Sequence, residues 1–170
     1  MANQRKNKVS NSNNHYINLA FKLAMINLGS TKKNPSVGCI VVKNDSVISS
    51  GYTSENGRPH AEFNALNKSK DFKGSDLYTT VEPCTHYGVT PPCVNLIIKK
   101  KIKRVFYVFN DVDKRTACKA KYYLKRRNIK VYKKSLPAFQ NFYQSYFLNK
   151  TDNMPYIDGK IAVSKDYLTI

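Results

Sequence analysis

Residues 83–93 read Pro83-Cys84-Thr85-His86-Tyr87-Gly88-Val89-Thr90-Pro91-Pro92-Cys93, and residues 60–62 read His60-Ala61-Glu62. One imidazole and two thiolates form a three-ligand set for zinc that leaves a fourth position open for water. His60 and Cys93 are each predicted to open a helix, and a helix N-terminus favours the thiolate form of cysteine. Glu62 cannot point the same way as His60, but it can reach water at the open position as a general base and then as an acid. We therefore predict a catalytic zinc site with the ligands His60, Cys84 and Cys93.

The segments around these motifs predict a sheet of mixed strand directions. Helices are expected at 13–29 (capped by Asn13 or Asn14), at 60–69, from Pro91 or Pro92 to Lys100, at 116–127 and at 136–148, the last rich in aromatic residues. Strands are expected at 37–42, 47–52, 77–81, 104–109 and 129–132, and the first two enclose the turn Lys43-Asn44-Asp45-Ser46. An early hairpin followed by alternating helix and strand predicts an α/β/α sandwich of three layers, with a mixed sheet between helices on both faces.

Composition limits the classes to which the chain can belong. It has 170 residues, 41% apolar and 24% charged, which fits one globular domain and excludes a coiled coil or a collagen-like fibre. No apolar run is long enough to span a membrane, and the polar N-terminus lacks the apolar core of a secretory signal, so we expect a cytoplasmic protein. Four cysteines in such a protein do not indicate a disulfide framework. Cys39 and Cys118 are interpreted as small buried or incidental thiols.

The formal charge of +18 raises the question of a nucleic-acid partner. Of the 29 Lys and Arg residues, 15 lie between Lys99 and Lys134, where only Asp111 and Asp113 oppose them. Such a basic stripe could contact phosphates. The abundance of Lys, Asn, Ile and Tyr also fits drift toward AT-rich codons, and these lysines fall where exposed helix and loop positions are expected. We favour solvated faces over a nucleic-acid groove.

The two motifs resemble the zinc-dependent nucleobase deaminases, whose signature is His-x-Glu followed by Pro-Cys-x-x-Cys. Here eight residues separate Cys84 from Cys93. That longer loop, ending in Thr-Pro-Pro-Cys, is similar to the deaminase domain of the bacterial diaminohydroxyphosphoribosylaminopyrimidine deaminases of riboflavin biosynthesis. Residues 34–39 (Asn-Pro-Ser-Val-Gly-Cys) and 57–62 (Gly-Arg-Pro-His-Ala-Glu) add to the resemblance, which covers about residues 15–132.

The resemblance implies a cytidine-deaminase-like fold over residues 13–149, with one Zn²⁺ per chain. The implied reaction is hydrolysis of the 2-amino group of a small pyrimidine ribotide, 2,5-diamino-6-ribosylamino-4(3H)-pyrimidinone 5′-phosphate, with Glu62 as the catalytic proton carrier. Candidate substrate contacts are Asn34, Thr53, Arg58, Thr85 and His86, and more weakly Asn110 and Asp111. Two positions depart from the family: Thr53 replaces a frequent histidine, and Val89 replaces a frequent Lys or Arg. If that basic residue binds the substrate phosphate, Arg58 is the candidate substitute.

The two ends of the chain carry separate expectations. Residues 1–12 are expected to be a disordered tail, and residues 150–170 a linker followed by a new strand over 155–163. Met154-Pro155-Tyr156-Ile157 and the segment 160–166 resemble the opening of the family's C-terminal reductase domain, with Tyr167 where glycine is usual. The resemblance thus implies a truncated bifunctional enzyme without reductase activity. We expect self-association, and a separately encoded reductase is a candidate partner.

Other functions fit parts of the sequence. The zinc could be purely structural with His86 as a fourth ligand, although structural sites usually present close cysteine pairs. A tRNA adenosine deaminase is favoured by the charge and disfavoured by the long Cys loop. A catalytically dead zinc-containing RNA-binding protein is disfavoured by the presence of Glu62, and an inactive remnant remains a further alternative. The aromatic residues of 136–148 are expected to pack against the sheet rather than stack on bases.

Overall fold

The computed structural model describes residues 2–166, with side chains described from residue 13 onward. Within this part of the chain, five strands form one mixed sheet. The strands are β1 (Gly38–Lys43), β2 (Ser46–Tyr52), β3 (Asp76–Val81), β4 (Arg104–Phe109) and β5 (Lys130–Lys133). The helices are α1 (Ala2–Ala24), α2 (Ala61–Leu66), α3 (Cys93–Lys99), α4 (Ala120–Lys125) and α5 (Gln144–Asp152). The strand order is β2-β1-β3-β4-β5, which confirms the predicted mixed sheet.

The hairpin at the start of the sheet follows from its turn residues. Asn44 and Asp45 both have positive φ, 51° and 56°, the backbone that tight hairpin turns between twisted strands require. β1 therefore pairs antiparallel with β2 and, on its other side, antiparallel with β3. β3, β4 and β5 run parallel, so their carboxyl ends meet at one edge of the sheet.

Two glycines allow helices to pack closely on both faces of the sheet. A Cβ at Gly38 would lie 1.8 Å from the carbonyl oxygen of Ala20 in α1, and a Cβ at Gly51 would lie 2.5 Å from that of Ala61 in α2. Gly51 pairs with Cys39, the neighbour of Gly38, and adjacent residues of a strand point to opposite faces. α1 and α2 therefore cover opposite faces, as a three-layer sandwich requires.

The aromatic-rich segment packs on the α1 face, as predicted. Phe139 stacks on Phe21 with ring centres 3.8 Å apart, and Tyr143 is only 1% exposed. The segment is not the continuous helix that the sequence predicts over 136–148. A short 3₁₀ turn spans Pro137–Phe139, and α5 begins only at Gln144. Phe139 and Tyr143, which both pack on the α1 face, lie at the two ends of this interruption.

Three other expectations differ from the structure. α1 begins at Ala2 rather than at Asn13 or Asn14, so the backbone is helical where a disordered tail is predicted for residues 1–12, and it ends at Ala24 rather than Gly29. Residues 155–163 form no strand, because no neighbouring strand in residues 2–166 pairs with them. Cys118 is exposed and lies before α4, with φ of 60°, rather than in a helix. Tyr167, the predicted departure in the reductase-like opening, lies outside the described residues.

Over residues 2–166, no helix combines the length and the apolar character that crossing a lipid bilayer needs.

Candidate functional site

The structure brings the three predicted ligands together. His60 directly precedes α2, Cys93 is the first residue of α3, and Cys84 lies in the loop after β3. Their ligand atoms all lie within 4.8 Å of one another. His60 Nδ1 is 3.6 Å from Cys84 Sγ and 3.5 Å from Cys93 Sγ. The arrangement is therefore a compact N/S/S group built where two helices begin and one strand ends.

These distances can be compared with zinc coordination. Tetrahedral zinc, with Zn–N about 2.05 Å and Zn–S about 2.3 Å, would separate a ligand nitrogen from a ligand sulfur by about 3.5–3.6 Å. The two N···S distances in the protein match that value. The residues present thus fit a zinc ion held by His60 Nδ1 and the two sulfurs, with one position left for a ligand from outside the chain.

The two cysteines differ in their hydrogen bonds. The pKa of Cys84 is lowered to about 4, chiefly because the Cys93 side chain donates a hydrogen bond to it, with further contributions from His60 and from the Cys93 backbone. The Cys93 N–H lies 3.2 Å from Cys84 Sγ. The same contact and burial raise the pKa of Cys93. These contacts favour the thiolate form of Cys84, which is the form that binds metals.

Glu62 is the buried carboxyl group beside the ligands. It lies in the first turn of α2 and is only 4% exposed. The pKa of Glu62 is raised to about 7, chiefly by burial and also by the charge on Cys84, while His60 opposes the shift. No basic residue forms an ion pair with it among the residues whose side chains are described. Its position is therefore the one that a proton carrier at this group needs.

A pocket opens next to the group, at the carboxyl ends of the parallel strands β3 and β4. This edge is where open α/β sheets usually bind ligands. The pocket is lined by His60 and Cys84, by the four acidic residues Glu62, Glu82, Asp111 and Asp113, and by the three basic residues Arg58, Arg115 and Lys150.

Glu82 holds one wall of this pocket in place. Its carboxylate accepts hydrogen bonds from the backbone N–H groups of Cys118, at 2.8 Å, and Ala120, at 2.9 Å. Thr116 in the same loop accepts a hydrogen bond from the Thr85 N–H at 2.7 Å. The loop after β4 is thereby tied both to the end of β3 and to the Cys loop, residues 84–93.

Four of the five predicted substrate contacts line the pocket: Asn34, Thr53, Arg58 and His86. Thr53 is almost fully buried, and its hydroxyl accepts from the Val37 N–H at 2.9 Å and donates to the Val37 carbonyl at 3.4 Å. Its hydrogen is therefore already used inside the fold. Thr85, the fifth, lies outside the pocket lining, since its N–H and hydroxyl both contact Thr116.

The remaining candidates lie in different places. Asp111 lines the pocket and accepts a hydrogen bond from the Tyr146 hydroxyl at 3.1 Å, whereas Asn110 donates to Cys118 Sγ and does not line it. Val89 is 86% exposed and also lies outside the lining.

Among the polar residues of the pocket that sequence reasoning missed, four come from two later segments of the chain. Asp113 and Arg115 come from the loop after β4, and Tyr146 and Lys150 come from α5. The first pair follows the predicted strand at 104–109, and the carboxyl end of a strand in an open α/β sheet is a common place for ligand-binding residues. Nothing local in the sequence marks Tyr146 or Lys150, because α5 reaches the pocket only through tertiary packing.

Comparison with known proteins identifies the family of the chain. Residues 10–109 match the family model described as the cytidine and deoxycytidylate deaminase zinc-binding region. The chain is 39% identical over 154 residues to the riboflavin biosynthesis protein RibD of Bacillus amyloliquefaciens, which covers 89% of this chain and 42% of that protein. It is also 39% identical over 117 residues to a diaminohydroxyphosphoribosylamino-pyrimidine deaminase of Buchnera aphidicola, covering 68% of this chain and 80% of that one.

A solved structure shows the same fold. RibD of Acinetobacter baumannii superimposes with a TM-score of 0.82 at 35% identity, over 92% of this chain and 45% of the other. The chain therefore spans less than half the length of that structure and of the Bacillus relative.

Proposed function

The chain belongs to the cytidine and deoxycytidylate deaminase family, and from this we propose that it is a zinc-dependent hydrolytic deaminase. The proposed substrate is 2,5-diamino-6-ribosylamino-4(3H)-pyrimidinone 5′-phosphate, which would lose its 2-amino group as ammonia in riboflavin biosynthesis. The observation that carries this proposal is the buried Glu62 carboxyl next to the His60, Cys84 and Cys93 ligand atoms at a pocket.

In this proposal His60 Nδ1 and the Cys84 and Cys93 sulfurs hold one zinc ion. Bound zinc supplies Lewis-acid activation of water at neutral pH. Glu62 takes one proton from the attacking water and delivers it to the ring nitrogen. It then transfers the second proton of that water to the departing amino group, which leaves as ammonia while a carbonyl forms at the same carbon. Glu62 thus ends the cycle ionised, as it began.

We propose that residues lining the pocket orient the substrate. Asn34 donates through Nδ2 to the Gly57 carbonyl at 3.2 Å, which fixes its amide, while its Oδ1 has no partner among the described residues. That oxygen is free to accept a hydrogen bond from the base or ribose. His86 Nδ1 is buried with no hydrogen-bond partner within the described part of the chain, so it is also available. Thr53 and Thr85 are proposed to support these walls rather than to touch the substrate.

A single-turnover assay with the ribotide tests the proposal on zinc-quantified protein. We expect ammonia and the deaminated product from the natural chain. Glu62→Gln should keep one zinc per chain and lose about 10²- to 10⁴-fold in rate, the usual contribution of a positioned acid–base group. Glu55→Gln is the matched control, because Glu55 is an exposed glutamate outside the pocket lining.

Two results would contradict the proposal. Unchanged turnover in Glu62→Gln would remove Glu62 from the mechanism. Activity on a tRNA adenosine with none on the ribotide would replace the substrate class. Self-association and a separately encoded reductase partner stay predictions, to be checked by light scattering and by co-purification.

A further inference from the structure

The three basic residues of the pocket differ in the groups that lie next to their charges. Arg115 forms an ion pair with Asp113 in which both Nε and Nη2 donate to that carboxylate. Lys150 Nζ lies 6.0 Å from the centre of the Tyr146 ring. Arg58 has no acidic partner among residues 13–166, and it is the guanidinium of the pocket whose charge is uncompensated.

Arg58 is nevertheless held in one place. Its Nη1 donates to the Thr90 hydroxyl at 2.6 Å, and a Cβ at Gly88 would lie only 3.3 Å from its Nη2. The missing side chain at Gly88 therefore lets the guanidinium lie against the backbone of the Cys loop. One of its five N–H donors is used by Thr90, so most remain for a ligand.

The imidazole of His86 also lies close to Gly88. The Nε2 of His86 would lie 3.6 Å from a Cβ at Gly88, so the imidazole and the guanidinium flank this glycine together. Asp111 and Asp113 also line the pocket, and the charge of Asp113 is already paired with Arg115. The Arg58 guanidinium at the Cys loop, in contrast to Arg115, therefore keeps a charge that no acidic residue among residues 13–166 pairs with.

We propose that Arg58, seated on Gly88 and Thr90, is the anion subsite that binds the phosphate monoester of the substrate. This inference rests on the proposed function for the identity of the ligand, but the subsite itself requires only a phosphate on a ribose. A guanidinium donates two parallel hydrogen bonds to phosphate oxygens, and such charge-assisted pairs give both affinity and orientation. Binding the phosphate at Gly88 leaves the base to extend toward Glu62 and the ligand group.

The test compares ribotide and riboside, which differ only by the phosphate, in the zinc-loaded chain. In Arg58→Gln we expect the KM for the ribotide to rise about 10- to 100-fold, the range for a lost charge-assisted contact, with kcat little changed. The KM for the riboside should change by less than about twofold. Arg58→Lys should restore part of the preference, since it keeps the charge but not the paired donors. Arg127→Gln is the control, as an exposed arginine outside the pocket lining.

A binding measurement separates this inference from the proposed function. By calorimetry, the natural chain should bind ribose 5-phosphate and not ribose, and Arg58→Gln should weaken that binding at least about 10-fold. That result would support the subsite even if the ribotide were not deaminated. If the ribotide is deaminated and Arg58→Gln discriminates as the natural chain does, or if Lys150→Gln alone abolishes the preference for phosphate, the inference is overturned while the deaminase proposal stands. Failure of the natural chain to bind ribose 5-phosphate would also overturn it.

Discussion

Replacing Tyr143 with phenylalanine removes one hydroxyl from a directed chain of buried hydrogen bonds. The Tyr143 hydroxyl donates to the Ser36 carbonyl at 2.7 Å, so the Thr80 hydroxyl, 2.6 Å away, must donate to Tyr143. Thr80 in turn accepts from the Gly38 N–H at 3.2 Å. Burial raises the pKa of Tyr143, so the phenol keeps its proton at neutral pH and the direction of the chain is fixed. The chain joins the aromatic segment to the start of β1 and to β3.

The variant leaves two buried groups without partners, the Ser36 carbonyl and the Thr80 hydroxyl hydrogen. An unsatisfied buried polar group costs about 1–3 kcal/mol, and some relaxation is expected, so we expect the free energy of unfolding to fall by about 2–4 kcal/mol. For a chain of this size that corresponds to a drop of about 5–15 °C in Tm. Urea unfolding of the zinc-saturated protein, followed by circular dichroism, measures the difference.

The control is Tyr123→Phe, because Tyr123 is 47% exposed and its hydroxyl has no partner among the described residues. It should change the free energy of unfolding by less than about 0.5 kcal/mol, as most exposed substitutions do. A Tyr143→Phe variant as stable as this control would refute the reasoning. It would mean that water satisfies Ser36 and Thr80, and that the aromatic segment is held by ring packing alone.

In a thermal melt, Gly38→Ala should destabilise the protein by more than about 3 kcal/mol or prevent folding, because its Cβ would overlap the Ala20 carbonyl. The control Gly159→Ala should be neutral in the same melt, since the space around Gly159 is open. Chelation of zinc should lower Tm, since a ligand at 100 times its Kd stabilises the native state by about 2.7 kcal/mol. By elemental analysis, Cys84→Ala should lose the metal and Cys118→Ala should retain it; one zinc per chain in Cys84→Ala would contradict the ligand assignment.

Much of the fold was predictable because its signals are local. β4 lies at 104–109 as predicted, and β3 begins one residue earlier than predicted. These strands are short apolar runs bounded by turn residues, so their own composition defines them. α1 could not be delimited in this way: Leu28 continues the apolar spacing of the helix, yet it is 49% exposed beyond the last helical residue, Ala24. The spacing of apolar residues indicates which positions suit a helix, whereas the residue at which the helix ends depends on how far the helix packs against the sheet.

The residues of the site also include some that local sequence predicts and some that it does not. His60, Glu62, Cys84 and Cys93 were found because each lies in a short motif whose chemistry can be recognised from neighbouring residues. Tyr146 and Lys150 lie in α5, far along the chain, and they reach the pocket through tertiary packing, with the buried Tyr143 directly before α5. No spacing rule connects such a helix to a motif formed some sixty residues earlier.

The length of the Cys loop has a physical consequence beyond metal binding. A Cys-x-x-Cys segment could supply two thiolates from one helical turn, but it would leave no chain to form a wall. In this protein the eight intervening residues place Thr85 on Thr116, His86 in the pocket lining, and Gly88 and Thr90 against Arg58. The loop therefore fixes the ligands at its ends and shapes the pocket with its middle. Shortening it would be expected to alter which molecules bind before it altered the donor set for the metal.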